Sequence, residues 1–452
     1  MNFLLERFQS EPNTVAFIDD DKNFSYKDIL LHLSRYEQFI KETNIKKGEI
    51  VLVLADYSPE MFCFILALMK NGNILAPLTN ESVVEKSILV EISECRWFIE
   101  FAPKIANISV TKYEKEPTND LLVNLLKTGE PGLLLFSSGS TGTPKGILHN
   151  FTLVLEKFKT QRSKVVAITF LMLDHFGGIN TLLHITSNLG TVVTIKKRSV
   201  QAICETIQKH KVELLPTTPS FLNMLVGSDV NKHYDLSSLR LITYGTEVMP
   251  QTTLDRLNEA FPLVKFQQTY GLSELGVLRS QSKPDGSLWV KIGGEGFQTK
   301  VIDDILWIKS KFAMVGYLNA PSPFDSEGWF NTQDRVEVEG DYFKILGRVT
   351  DLMNIGGQKV YPTEIEDVII EMDNVEDVAI YSEKNNILGN IIVAEIVLKE
   401  PESALSLKHR VRKYCATKLT PFKVPTKVLI ADKNIYSVRM KKMRKGPSND
   451  KL

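Results

Sequence analysis

Leu133-Leu134-Leu135-Phe136 runs into Ser137-Ser138-Gly139-Ser140-Thr141-Gly142-Thr143-Pro144-Lys145-Gly146, and the fold is legible from this stretch outward. An apolar run of strand length empties into a loop whose side chains are small or hydroxylated. Backbone N–H groups and hydroxyls in such a loop approach phosphate oxygens closely, and Lys145 adds charge. A flexible Gly/Ser linker seldom follows an apolar strand or ends in Pro-Lys-Gly. A Walker A loop is excluded, because it needs Gly immediately before its Lys and Ser or Thr after it, whereas Pro144 and Gly146 flank Lys145. The stretch therefore predicts a phosphate cradle spanning Ser137, Ser138, Gly139, Ser140, Thr141, Gly142, Thr143 and Lys145.

On both sides of it, from Thr14 to about Val349, short aliphatic or β-branched runs alternate with amphipathic stretches of helical length, the pattern of stacked β-α-β units. Ile50–Leu54 precedes a predicted helix over Pro59–Lys70, and Val165–Thr169 precedes one starting near Gly178. Leu239–Tyr244 precedes Pro250–Ala260, and Val264–Gln268 leads into a glycine turn. Strand ends that run into turn residues are where open α/β sheets place ligands. Near Gly347 the texture changes. After a hairpin-like stretch around Glu339-Gly340-Asp341, Gly356-Gly357 opens a segment with its own strand–helix–strand pattern. The expectation is an α/β protein with a large amino-terminal domain, residues 1–349, and a small mobile α+β cap, residues 350–452.

The chain has 452 residues, enough for two or three packed units, and its 54 basic and 54 acidic side chains balance. That balance argues against a nucleic-acid binder. Four scattered cysteines without C-x-x-C spacing argue against a zinc or redox site and fit a reduced, cytoplasmic setting. No apolar run reaches the roughly 20 residues of a membrane span, and the charged first dozen positions do not form a signal peptide.

The loop resembles the phosphate loop of the adenylate-forming superfamily, which includes acyl- and aryl-CoA synthetases, peptide-synthetase adenylation domains and luciferases. Tyr270-Gly271-Leu272-Ser273-Glu274 resembles its Tyr-Gly-x-Thr-Glu turn, and Thr332-Gln333-Asp334 its Thr-Gly-Asp. Gly347-Arg348 through Gly356-Gly357 to Glu366 resembles the hinge and tunnel of the CoA-ligase branch. The four motifs occur in order along essentially the whole chain.

The resemblance implies an AMP-forming acid–thiol ligase that turns a carboxylic acid and ATP into acyl-AMP and passes the acyl group to CoA. A stand-alone enzyme loading the pantetheine of an acyl carrier protein, and an inert nucleotide-binding homologue, are the alternatives. It implies roles for residues of suitable chemistry. Glu274 would offer a hard carboxylate to Mg2+, and Ser273 a hydroxyl to the α-phosphate. Tyr244, Gly245, Thr246 and Gln268 would frame adenine. Asp334 would accept both ribose hydroxyls and Arg348 would reach ribose or phosphate. Lys442, in the Arg439-Met440-Lys441-Lys442-Met443-Arg444 run, would be the catalytic lysine that the family places in a Gly-Lys pattern, with Lys441 as substitute. His175, in Leu173-Asp174-His175-Phe176-Gly177-Gly178, would stand on the acyl side, where amino-acid-activating relatives keep an Asp for the substrate ammonium. An α-amino acid is thereby disfavoured. Gln333 stands in place of the family's Gly, and Thr350 in place of its hinge Asp or Lys.

Overall fold

A computed structural model describes residues 1–80, 85–101, 108–137, 143–228, 230–385, 389–431, 435–437 and 440–444. Two seven-stranded sheets form the large domain. In one, Trp97–Phe101, Ile50–Leu54, Ile74–Leu78 and Gly132–Ser137 run parallel, and Lys145–Asn150 returns antiparallel beside Gly132–Ser137. In the other, Lys265–Gln268, Leu241–Tyr244, Leu214–Thr217, Val166–Ile168, Thr191–Val193 and Val15–Asp19 run parallel. An antiparallel six-stranded sheet built from Arg279–Ser282 to Tyr342–Arg348 completes the domain.

The helix Pro59–Asn71 shows how the sequence makes this packing. Ser58 caps its first turn by accepting from the Met61 N–H, Pro59 suits the first turn, and Gly72 ends it at φ 78°. Its residues 59–69 are all buried, Glu60 being the one charged side chain among them, as expected of a helix that is apolar nearly all round, and it shares one core with strands of both large sheets.

The helix expected near Gly178 starts at Phe176 and runs to Ser187, so Gly178 lies inside its first turn. A Cβ there would stand 2.0 Å from the Met172 carbonyl oxygen and 2.5 Å from the Tyr57 hydroxyl. Tyr57 in turn donates to the Leu171 carbonyl at 2.8 Å. Gly178→Ala is therefore expected to push residues 171–175 away from the helix and to cost on the order of 1–3 kcal/mol. Urea unfolding of the variant against the parent measures it.

After Arg348 the chain turns through Val349–Asp351 into a second core running from Met353 to Val428. There Val375–Asn385, Gly389–Leu398 and Lys427–Ile430 form a three-stranded sheet, covered by Pro362–Ile369 and Ala404–Lys418. Four side chains of the large domain donate to backbone carbonyls of this unit. Asn223 reaches Glu376 at 3.2 Å, Arg256 reaches Ile370 at 2.6 Å, Thr252 reaches Asp367 at 3.3 Å and Thr218 reaches Met440 at 2.7 Å. Gly356 and Gly357, with φ 56° and 83°, turn between the short strands Met353–Ile355 and Gln358–Val360 and are exposed.

Candidate active site

The ends of the parallel strands, the six-stranded sheet and the carboxyl-terminal tail enclose a cavity of about 1290 Å³. Ser137, His175, Thr246, Tyr270 and Gly271 line it. So do Ser273, Glu274, Arg348 and Lys441. Ser138, Gly139, Ser140, Thr141 and Gly142 lie outside the described residues. The strands that carry them are in place: Ser137 pairs with Lys145 across the antiparallel pair. Asn319 clamps the returning end, donating to the Pro144 carbonyl at 2.8 Å and accepting from the Gly146 N–H at 3.0 Å.

The turn after Lys265–Gln268 is held from behind. His149 is fully buried, and burial lowers its pKa to about 4, so the ring is neutral. As a neutral donor its Nε2 binds the Ser273 carbonyl at 2.7 Å. Glu274 accepts from the Tyr317 hydroxyl at 2.6 Å, and the Lys145 ammonium stands 4.8 Å from the centre of the Tyr317 ring. This brings the end of the phosphate loop beside the expected magnesium carboxylate. Among the described residues no cluster of three or more His, Cys, Asp or Glu could hold a metal alone. A single carboxylate suits magnesium, which takes one or two from protein and its other ligands from phosphate and water.

The expected adenine frame is displaced by one residue in part. Thr246 and Gln267 line the cavity, whereas Gly245 and Gln268 do not. Side chains alternate along a strand, so Gln268 points inward and is buried while Gln267 faces the ligand side. Gly245 packs on the next strand end, where a Cβ would lie 2.6 Å from the Thr269 carbonyl oxygen. Thr246 holds φ 72°, a rare conformation for a β-branched residue.

Asp334 is buried and stands behind the cavity wall. The Tyr270 hydroxyl donates to one of its oxygens and the Arg348 Nε to the other at 3.3 Å. Burial raises the Asp334 pKa, with Arg348 and Tyr270 pulling against it. Of this pair, Arg348 lines the cavity and Asp334 does not.

The two tail lysines are placed differently from the sequence expectation. Lys442 is buried away from the cavity: its ammonium binds Asp377 at 2.8 Å and lies 3.9 Å from Glu366, and its backbone N–H donates to Glu247 at 2.8 Å. Lys441 lines the cavity. The backbone gives the reason. The family's Gly-Lys pattern puts glycine before the lysine, and the residue here in the left-handed region that favours glycine is Met440, with φ 51°. The lysine after it is Lys441. Gln333, which replaces another family glycine, likewise sits at φ 59°.

The profile of the AMP-binding enzymes matches residues 4–304, and that of their carboxyl-terminal domain matches residues 364–442. The chain belongs to the AMP-binding enzyme family. Among curated proteins it is similar to acyl-CoA synthetase 7 of Caenorhabditis elegans, at 26% identity over 93% of this chain and 90% of that protein. It is also similar to the 2-succinylbenzoate–CoA ligase of Bacillus subtilis, at 24% identity over 96% and 94%. Among solved structures, an anthranilate CoA ligase in complex with anthranoyl-AMP shares the fold with a TM-score of 0.80 at 19% identity, covering 98% of this chain and 95% of that one. An amide bond synthetase from Marinactinospora thermotolerans shares it at 0.77 and 17%, covering 98% and 97%.

Proposed function

We propose that this chain is an AMP-forming acid–CoA ligase. The observation that carries the proposal is the convergence of a tail lysine, Arg348, Glu274 and the Ser273 turn on one cavity whose other side is the apolar wall at His175 and Phe176. The carboxylate of the acid attacks the α-phosphate in line and pyrophosphate leaves. The protein's part is positioning and charge stabilisation. Lys441 bridges the carboxylate and an α-phosphate oxygen, the Ser273 hydroxyl donates to the α-phosphate, and Arg348 holds ribose or phosphate. Glu274 would hold magnesium, which would neutralise phosphate charge. The unit after Val349–Asp351 then rotates about Thr350 and presents the Gly356-Gly357 turn, whose lack of side chains leaves a path for a pantetheine thiol. CoA is the favoured acceptor over a carrier protein, because Asn354–Pro362 resembles the CoA-ligase form. Four buried, unpaired cysteines accord with a reducing compartment. Among the described residues no helix is long and apolar enough to cross a membrane.

Acid-dependent exchange of pyrophosphate into ATP across a panel of carboxylic acids tests the proposal. Its complete absence in a folded protein that still binds ATP would establish the inert alternative. Glu274→Gln keeps the Tyr317 hydrogen bond but loses the charge, and is expected to weaken the exchange roughly thirtyfold, about 2 kcal/mol, with partial recovery at high magnesium. Thioester formation with CoA against a pantetheinylated carrier decides the acceptor.

A further inference from the structure

At the acyl side of the same cavity the wall changes character. Lys157, just past the short helix Phe151–Glu156, and Asn180 and His184, on the helix Phe176–Ser187, all line it. The Lys157 ammonium stands 5.0 Å from the centre of the Phe158 ring and 5.7 Å from that of Phe176. It donates to Asn180 Oδ1 and to the Val277 carbonyl at 3.1 Å. Two acceptors are thus present for three donors, and both are neutral.

Among the described residues no carboxylate pairs with Lys157. Glu156, its neighbour, is bound to Lys159 at 2.6 Å. The charged group acting on Lys157 is Arg162, and it repels. The two rings attract the ammonium, but burying it without a counter-charge still carries a desolvation cost. Chemistry that needs only an apolar tunnel for a fatty tail would be served by a leucine or methionine here at no such cost.

We propose that the acid activated by this enzyme is a dicarboxylic acid, whose second carboxylate is received by Lys157 and the Asn180 amide. The proposal rests on the adenylating function above and names its substrate class. Asn180 Oδ1 is committed to Lys157, which leaves its NH2 as the second donor of a pair. A carboxylate, with two oxygens in one plane, accepts both.

The groups facing Lys157 give the proposal a pH signature. Burial first, and then Arg162, lower the Lys157 pKa to about 7. The same burial takes His184 down to about 4 with help from Arg162 and Lys157, so His184 is neutral above pH 5. Arg162 repels Lys157, Glu156 is paired with Lys159, and Gly276–Val277 presents only the Val277 carbonyl. Lys157 is thus the group that titrates near neutrality. An anion binds its protonated form, so affinity for the second carboxylate falls as pH rises above about 7.

The test uses acyl-sulfamoyl adenosines, stable stand-ins for acyl-AMP, made from α,ω-dicarboxylic acids of increasing length. Each is matched with the acid in which a methyl replaces the distal carboxyl. Titration of the full chain is expected to show at least a tenfold preference for the dicarboxyl member at the best length, falling about tenfold per pH unit above neutrality. Lys157→Met is expected to abolish the preference with the methyl series bound within about twofold of the parent, and Lys157→Arg to retain a preference that no longer falls with pH. Lys157→Gln replaces Lys157→Met if the latter does not fold. Equal binding of both series by the parent, or a preference that survives Lys157→Met, overturns the assignment and leaves adenylation standing. If neither series binds at any length, the adenylating function fails and the proposal falls with it.

Discussion

Lys441→Ala is expected to slow acyl-AMP formation by a factor of about 10² to 10³, the usual consequence of removing one preorganised charge contact from a dry site. Lys442→Ala is expected to slow it far less. The two lysines are adjacent, yet one lines the cavity and the other is spent on Asp377 and Glu366. Single-turnover measurement of acyl-AMP formation from acid and ATP, with thioester formation from supplied acyl-AMP followed separately, distinguishes them. Lys441 should matter for the first step and little for the second, because a lysine on a hinged unit meets the α-phosphate in one orientation only. Equal rates for Lys441→Ala and the parent would return the role to Lys442 or to neither. Met440→Gly should leave adenylation intact, since glycine adopts the left-handed conformation that Met440 already holds.

The large effect of Lys442→Ala is expected on stability. Glu366 and Asp377 are almost wholly buried, and Lys442 and Arg444 are their counter-charges. Arg444 grips Glu366 through two bonds of 3.0 and 2.9 Å. Removing one partner of such a cluster leaves a charge buried and uncompensated, typically a loss of about 3–5 kcal/mol. Burial alone would raise the Glu366 pKa, but Lys442 and Arg444 outweigh it and hold it below the ordinary carboxylate range. Its contribution is therefore fully present above the unfolded value of about 4.3 and is lost as pH falls through the lower folded value. Lys442 behaves in the opposite sense. Burial opposes its charge, yet Asp377 and Glu366 raise its pKa, so its contribution is complete below about 10.4 and is lost as pH rises through the folded value. Between about pH 5 and 10 the cluster is intact. Urea unfolding at pH 7 should show the loss for Lys442→Ala, and the gap between variant and parent should narrow below pH 4. A gap of less than about 1 kcal/mol at pH 7 would mean that Asp377 finds compensation elsewhere, for example from Tyr436, which already donates to it.

The parts of this enzyme that were legible in the sequence are those where residue type and backbone requirement coincide. Apolar strands ending in turns predicted the parallel sheets, and Leu133–Phe136 led to the cradle because a buried strand and a loop of small residues are both local patterns. Four ordered motifs predicted the family. Registers within a motif were less legible. Gln267 and Gln268 are chemically identical, and only the pleat of the strand decides which one meets the cavity. Lys441 and Lys442 are likewise identical, and the usual marker, a glycine, is absent because Met440 occupies its conformation. Asp334 was expected, from the resemblance, to accept both ribose hydroxyls, and no local pattern showed that a tyrosine and an arginine from other segments donate to it. Lys157 carried no signal, since apart from Phe158 its surroundings come from the helix Phe176–Ser187 and from Val277, both distant in sequence.

Four of the bonds between the large domain and the carboxyl-terminal unit share a direction: Asn223, Arg256, Thr252 and Thr218 give side-chain donors, and the smaller unit answers with peptide oxygens. Peptide oxygens are the same whatever residue carries them. The receiving surface is in this respect indifferent to mutation so long as its backbone path is kept, while each donor on the other side is lost by a single substitution. Sequence drift in the two halves is thus unequally tolerated at these four contacts, and a carboxyl-terminal unit taken from a distant relative of the same backbone shape would meet the same four donors there.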